Sequence, residues 1–255
     1  MIAQSVWLWD RWPSLGRFRR GLYRSLLQGP SLHTTLSREN AEIARAQLQP
    51  APVALIPFGT QDISSPNPHS GGSGVVAPGN DRHRDWQTLM TAVSMPAPIP
   101  TQILTRRLKQ SDTQNAPSVN IQQSRSTAEM AAAYARAGVV VVPLHSNHHA
   151  SGITVGLEAM SLSKPLVIAD IGGVRDYFEG YAEFYAAGDA SSLRTAVGRA
   201  AEGVAADAPS KASRGLTADD YVHRHLAATA WLLRTEGSLA DIERFAPFRY
   251  AGVTS

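Results

Sequence analysis

His145-Ser146-Asn147-His148-His149-Ala150-Ser151-Gly152-Ile153-Thr154-Val155-Gly156-Leu157-Glu158-Ala159-Met160 is the stretch on which the reading turns. An apolar run, Val139 to Leu144, leads into it. Lys164-Pro165-Leu166-Val167-Ile168 and Asp170-Ile171-Gly172-Gly173 follow. The order is strand, loop, helix, strand, loop. Four consecutive valines, Val139 to Val142, suit a strand buried on both faces of a parallel sheet. The loop closes on Ser151-Gly152, and a helix can begin near Thr154. Such a helix start turns unpaired backbone N–H groups and a positive dipole end toward the crevice at the strand ends, a place for a phosphate. Glu158 falls four residues after Thr154, one turn deeper on the same face. A carboxylate only accepts hydrogen bonds, so it suits two hydroxyls of a ribose whose phosphates sit one turn above.

Outward from this stretch the pattern is regular. Val75-Val76-Ala77 reads as a strand, and Asp85 to Val93 as a helix with Trp86, Leu89, Met90 and Val93 on one side. Ile103-Leu104 and Val119-Asn120-Ile121 are strands. Ser126-Thr127-Ala128-Glu129 fits a capping box and opens a helix to Ala137. The Val139 strand, the Thr154 helix and the Leu166 strand come next. Strands alternating with helices predict an α/β fold, a Rossmann-like parallel sheet with right-handed crossovers and helices on both faces. Ligands of such sheets bind outside the carboxyl ends of the strands. Gly79 to Arg84, Thr105 to Arg107, His145 to Gly152 and Asp170 to Gly173 all follow strands and should line one edge. Further on, Ser191 to Gly203 reads as an Ala-rich helix, Ala205 to Gly215 as a loop, and Thr217 to Leu233 as a final helix. From Thr235 onward no signal is readable.

Residues 1–30 place Trp7, Trp9, Trp12, Phe18 and Tyr23 among Arg11, Arg17, Arg19, Arg20 and Arg24. Helical spacing puts Arg17, Arg20 and Arg24 on one face. Two readings stand: a basic amphipathic surface for anionic lipid or a lipid-linked substrate, or a solvated helix face beside an aromatic cluster. Ser31 to Leu36 is a short strand. Ser37 caps a helix over Arg38–Leu48, which Pro50 and Pro52 stop. Val53-Ala54-Leu55-Ile56 is another short strand. From Pro57 to Gly74 the chain is rich in Pro, Ser, Asn and Gly, as a linker is. The division is therefore 1–51, a small N-terminal piece; 52–74, a linker region; 75–233, the β/α domain with its last helix; and 234–255, a tail.

A chain of 255 residues can hold one large domain or two small ones, and 43% apolar residues suffice for a core. No apolar run approaches the ~18 residues of a spanning helix. The start, Met1 to Asp10, lacks the basic region of a secretory signal. Zero cysteines excludes a disulfide framework and a thiolate metal site. A formal charge of +3 suits a small anionic ligand or an anionic lipid surface and does not demand nucleic acid. His145, His148 and His149 have spacing that would suit a metal on a helix, but they lie in a predicted loop with no adjacent carboxylate. The Gly71-Gly72-Ser73-Gly74 run precedes the Val75 strand, whereas a dinucleotide fingerprint must follow one, which weakens an oxidoreductase reading.

Ser151-Gly152-Ile153-Thr154-Val155, Glu158-Ala159-Met160, Lys164-Pro165 and Gly172-Gly173 together resemble the donor-binding half of the GT-B glycosyltransferases, the large retaining family 4 (group 1) type that uses nucleotide sugars. The similarity extends back to Gly79-Asn80-Asp81-Arg82-His83-Arg84-Asp85-Trp86. The resemblance implies that Ser151 to Val155 hold the diphosphate and Glu158 the ribose. A basic pair should neutralise the diphosphate; Asn80 stands where its first member is expected, which leaves the charge to Arg84 or Arg82, with Arg106 and Arg107 as further candidates. The family's earlier glutamate, eight positions before Glu158, is Ala150 here, with Asn147 or His149 as its substitutes at the donor sugar. The resemblance further implies no metal or other cofactor, and transfer of a hexose, with retention, to a saccharide or lipid-linked acceptor in polysaccharide assembly. The absence of cysteine fits a reducing cytoplasm, and the lipid reading of residues 1–30 a place peripheral to the inner face of the membrane. The resemblance names no catalytic residue. Only one full β/α domain can be counted, so residues 1–51 read as the remnant of a first GT-B domain. The alternatives are a nucleotide-sugar-binding module without chemistry and one subunit of a split transferase whose partner chain supplies the missing domain.

Overall fold

A computed structural model describes residues 1–29, 31–63, 72–124, 126–234 and 237–252, and the chain falls into two compact units. The first comprises residues 1–61, 147–150 and 212–255; the second comprises 62–146 and 151–211. Much of the expected linker, residues 64–71, lies outside the described residues, as does Gly71 of the Gly-rich run.

The first unit is built on three short parallel strands in the order β1 (Ile2–Gln4), β2 (Leu32–Thr35), β3 (Val53–Leu55). The strand β1 carries no turn signal and is an addition to the two strands expected. Between β1 and β2 lie α1 (Leu8–Arg11) and α2 (Arg17–Leu27), and α3 (Arg38–Leu48) joins β2 to β3. Ser37 caps α3, accepting from the Asn40 N–H at 3.2 Å. Trp9 and Trp12 are core residues, packed with Ala44, Leu48 and Val53. Both indole N–H groups are satisfied, by Ser5 Oγ at 2.8 Å and Gln47 Oε1 at 3.0 Å, as burial of an indole requires.

The second unit is a six-stranded, wholly parallel sheet. Its elements in chain order are β4 (Val75–Pro78), α4 (Trp86–Ser94), β5 (Thr101–Leu104), β6 (Val119–Gln122), α5 (Thr127–Arg136), β7 (Val139–Val142), α6 (Ile153–Ser161), β8 (Leu166–Ala169), α7 (Val174–Phe178), β9 (Glu183–Tyr185) and α8 (Ala190–Ala200). The strand order is β6-β5-β4-β7-β8-β9. Every residue of β4, β7 and β8 is buried, which is why these segments read as unbroken apolar runs. The order reverses direction between β4 and β7. Right-handed crossovers then place α4 on one face, where it packs on α8, and α5 and α6 on the other. This is the expected Rossmann-like arrangement. Lys164 fastens α5 to the sheet. Its ammonium is buried and donates to the carbonyls of Ala135 at 3.0 Å and Ala137 at 3.1 Å, at the negative end of the helix dipole. Burial pulls its pKa below the usual lysine value.

The last helices, α9 (Ala218–Leu232) and α10 (Leu239–Ile242), belong to the first unit. Residues 218–232 therefore do not extend the β/α domain, as the 75–233 boundary had it. Ala227 and Ala228 of α9 pack with Leu32, Ala54, Ile56 and Ile242. The C-terminal residues are not featureless either. Arg224 is fully buried and donates to the carbonyls of Gly215, Arg244 and Ala246, tying residues 244–246 to α9. No helix among the described residues is long and apolar enough to cross a membrane.

Candidate functional site

The order of the parallel sheet predicts where a ligand belongs. At a reversal of strand order, the loops after the two central strands diverge to opposite faces and leave a crevice. Here those loops are residues 79–85, after β4, and the segment between β7 and α6.

The helix α6 begins at Ile153, one residue before the expected start. Its cap is Gly152, with φ +77°, and no side chain caps the helix. The N–H groups of the first turn, at Ile153, Thr154 and Val155, have no intrahelical acceptors and are open to an acceptor from outside the helix. Ile153 and Val155 are buried and anchor the turn, whereas Thr154 is exposed. Gly152 cannot be replaced without cost. A Cβ there would overlap Val142 Cγ1 and stand 2.9 Å from Arg84 Nη1.

Arg84 is the centre of the site. It is only 6% exposed, and its Nε and Nη1 have no hydrogen-bond partner among the described residues. Two glycines give it room: Gly152 from one loop, and Gly79 from the other, where a Cβ would overlap the Arg84 Nε. Burial lowers its pKa from the ordinary arginine value, and the charge of Asp81 opposes the shift. A buried cation with two unmet donors is costly unless an anion completes it. Asp81, which sequence reasoning did not single out, ties the two loops together. It accepts from Ser151 Oγ at 2.5 Å and from the His83 N–H at 3.0 Å. The Ser151 hydroxyl therefore holds the loop, and what Ser151 offers an anion is its backbone.

Glu158 is half-buried on α6. Its Oε2 accepts from the hydroxyl of Tyr134, a fully buried residue of α5, at 2.6 Å. Burial raises the Glu158 pKa above the ordinary glutamate value, and the Tyr134 hydrogen bond works against that rise. Tyr134 also lies within the field of Arg84. Gly152, Arg84, Tyr134 and Glu158 thus form one connected group. Tyr134 carries no signal in the sequence, since nothing in its own surroundings announces a partner on another helix. A ligand hydrogen-bonded to Glu158 should bind the Tyr134→Phe variant about fivefold more weakly, the worth of one hydrogen bond of ~1 kcal/mol. The substitution should also move the acid limb of binding to higher pH, because the bond favours the charged carboxylate. Titrations across pH check both, and an unmoved acid limb would separate Tyr134 from Glu158.

The remaining candidates are placed as follows. Asn80 Oδ1 accepts from the Arg106 N–H at 2.7 Å and from Thr105 Oγ1 at 3.4 Å, so Asn80 joins the loops after β4 and β5. The side chains of Arg82, Arg106 and Arg107 are exposed. Asn147 and His149 group with the first unit. There His149 Nδ1 pairs closely with Asp10 Oδ2, and its N–H donates to Asp10 Oδ1 at 3.2 Å. His148 Nδ1 lies 2.6 Å from Glu39 Oε1, and His145 Nδ1 lies 3.5 Å from Asp85 Oδ2 in the second unit. The three histidines do have carboxylate partners, contrary to expectation; the partners are distant in sequence. Gly172 and Gly173 take φ of +56° and +80° and turn the chain into α7. Asp170 is engaged by Arg175, through two hydrogen bonds of 2.7 Å.

Residues 85–202 match the family model described as Glycosyl transferases group 1. A search of curated proteins returns no match. Among solved structures, sucrose-phosphate synthase from Thermosynechococcus elongatus is similar at 16% identity and a TM-score of 0.62, over 78% of this chain and 57% of that one. A glycosyltransferase from Rickettsia africae is similar at 11% identity and a TM-score of 0.69, over 87% and 69%. Anabaena Alr3699/HepE, solved with UDP-glucose, is similar at 16% identity and a TM-score of 0.59, over 91% and 66%. The chain thus spans little more than half of the first relative. At these identities the likeness is one of fold, the GT-B fold. The matched group 1 segment includes Arg84's neighbour Asp85, the whole β7–α6 stretch and Glu158.

Proposed function

We propose that the group 1 domain binds a nucleoside diphosphate sugar and serves transfer of its hexose, with retention, to a saccharide or lipid-linked acceptor. The observation that carries this reading is Arg84: a buried guanidinium with two unmet donors beside the uncapped start of α6. In this reading the diphosphate sits between Arg84 and the N–H groups of residues 153–155, and the ribose hydroxyls meet Glu158 one turn deeper. Fixed positive charge at the diphosphate stabilises it as it leaves, the main electrostatic demand of glycosyl transfer. Arg84 and the helix start supply that charge, and the proposal needs no metal ion. The UDP-glucose complex of the Anabaena structure supports a uridine nucleotide as the first donor to try.

Thermal shift with UDP-, GDP- and ADP-sugars tests the reading. At a hundredfold excess over Kd the matching nucleotide should stabilise the chain by about 2.7 kcal/mol. A chain stabilised equally by nucleoside and nucleoside diphosphate, or by neither, would sink it. A second reading, binding without transfer by this chain alone, is favoured by the small three-stranded sheet of the first unit. Acceptor must be held in line with donor for reaction. Release of labelled sugar onto an acceptor separates the two.

Glu158→Ala should weaken nucleotide binding by about 1–3 kcal/mol with the fold intact. Its raised pKa sets the pH dependence. The charged carboxylate accepts two hydroxyls best, so affinity should fall as pH drops, and should begin to fall above the ordinary glutamate range. In the ligand-free protein the sign is opposite. A raised folded-state pKa favours the protonated folded form, and that stability is lost as pH rises through the folded pKa. Calorimetry across the acid range checks the first; a Glu158→Ala variant with unchanged affinity would make Glu158 structural.

A further inference from the structure

The helix α2 inverts the usual relation between an amphipathic helix and its protein. An ordinary surface helix turns its apolar stripe inward. In α2 no residue is buried. Phe18, Leu22 and Leu26, at i, i+4 and i+8, form one stripe. They are 84%, 50% and 63% exposed. The polar side of the helix faces the first unit instead. Arg20 donates to the carbonyls of Trp12 at 3.1 Å and Pro13 at 2.7 Å. Arg24 donates to Gln47 Oε1 at 2.6 Å and stacks over the Trp12 ring. Leu27, on that same side, packs with the Trp9–Trp12 cluster. Arg17 and Arg19 flank the apolar stripe, and both are exposed. Between Arg11 and Gly29 there are five arginines and no acidic residue.

An outward apolar stripe rimmed by arginine has a specific complement. A second protein surface would cover the stripe but would need a matched cluster of carboxylates. A bilayer containing anionic lipid supplies both halves: acyl chains for Phe18, Leu22 and Leu26, and phosphates for Arg17 and Arg19. The helix is 11 residues long, too short to cross a bilayer but long enough to lie in its surface. We infer that α2 is an interfacial docking helix that seats the first unit on an anionic membrane, with Phe18, Leu22 and Leu26 in the acyl boundary. The ammonium-like reach of Lys is absent here; arginine binds phosphate through two parallel N–H groups, which suits a headgroup.

Flotation of the full chain with vesicles of phosphatidylcholine, with and without phosphatidylglycerol, tests this. Binding should require phosphatidylglycerol and weaken as salt rises. The combined Phe18→Ser, Leu22→Ser and Leu26→Ser variant should lose at least about tenfold in vesicle affinity, given the apolar area withdrawn. Arg17→Glu with Arg19→Glu, both at exposed positions, should lose about tenfold or more. This second variant keeps the test open if the first does not fold. Far-UV circular dichroism and nucleotide affinity should be unchanged, since neither change touches the candidate site. No binding to either vesicle overturns the inference. So does equal binding to both, or binding that the arginine changes leave intact. Sedimentation that shows a dimer dissolved by the serine changes, without vesicle binding, would assign the stripe to a second copy and overturn it too.

Discussion

Replacing Arg84 with methionine is expected to abolish tight diphosphate binding while making the ligand-free protein more stable. The two effects share a cause. In the folded chain the guanidinium is buried, and two of its donors have no partner among the described residues. A charge held this way works against folding until an anion arrives. Methionine fills much of the same volume without that penalty, and relief of a buried unsatisfied polar group is worth about 1–3 kcal/mol. In a domain of this size each kcal/mol moves Tm by about 2–4 °C. The same substitution removes two charge-assisted hydrogen bonds, each worth about 1.5–3 kcal/mol, or roughly a hundredfold or more together. Nucleoside affinity should change little. Melting curves without ligand, and calorimetry with a nucleoside and its diphosphate, measure all three quantities. A lower Tm, with equal losses for nucleoside and diphosphate, would show Arg84 to be a packing residue.

Gly152→Ala should damage both stability and the candidate site. Two costs add. At φ +77° an L-residue is strained by roughly 1–2 kcal/mol. The new Cβ would also overlap Val142 Cγ1 and crowd Arg84 Nη1, and overpacking of this kind costs about 1–3 kcal/mol. The sum is a loss of about 2–5 kcal/mol in stability, with diphosphate affinity reduced further because Arg84 and the start of α6 are pushed apart. Denaturant unfolding checks the first. A variant as stable as the parent would mean the loop relaxes freely, and the slot around Arg84 would then be soft. Pairing Gly152→Ala with Arg84→Met is informative: relief of the crowding should make the double variant more stable than the sum of the single effects.

The second unit could be read from the sequence because its physics is local. Val139 to Val142 is buried on both faces, and a fully buried parallel strand shows as an unbroken apolar run. Asp85, Ser126 and Thr217 announce their helices because a cap acts within three residues. Elements held by neighbours rather than by their own pattern were not legible. The strands β1 and β9 are three residues each, too short to show a period, and α7 and α10 are hardly more than a turn. Of the candidate site, the placing of Gly152, Arg84 and Glu158 at one sheet edge was legible because strand-end loops and helix turns fix it. Tyr134 and Asp81 could not, since each matters through a residue far along the chain. The basic aromatic segment split both ways: Trp9 and Trp12 are core, while Phe18 lies outside it.

The pairing of β4 with β7 bears on how the protein folds. Val75 lies beside Val139, and Val76 beside Val140, whereas β4 with β5 and β5 with β6 are joined between consecutive strands. Closing that one ladder requires the chain from α4 to α5 to loop back on itself, an entropic cost paid before any contact rewards it. The half that contains β4 to β6 can form early from near neighbours; the half that contains β7 to β9 must then dock along a single seam. Arg84 and Gly152 stand on opposite sides of that seam. In the proposed binding mode a nucleotide bridges them across that seam, and it should protect the amides of β4 and β7 from hydrogen exchange more than those of β6, at the far edge.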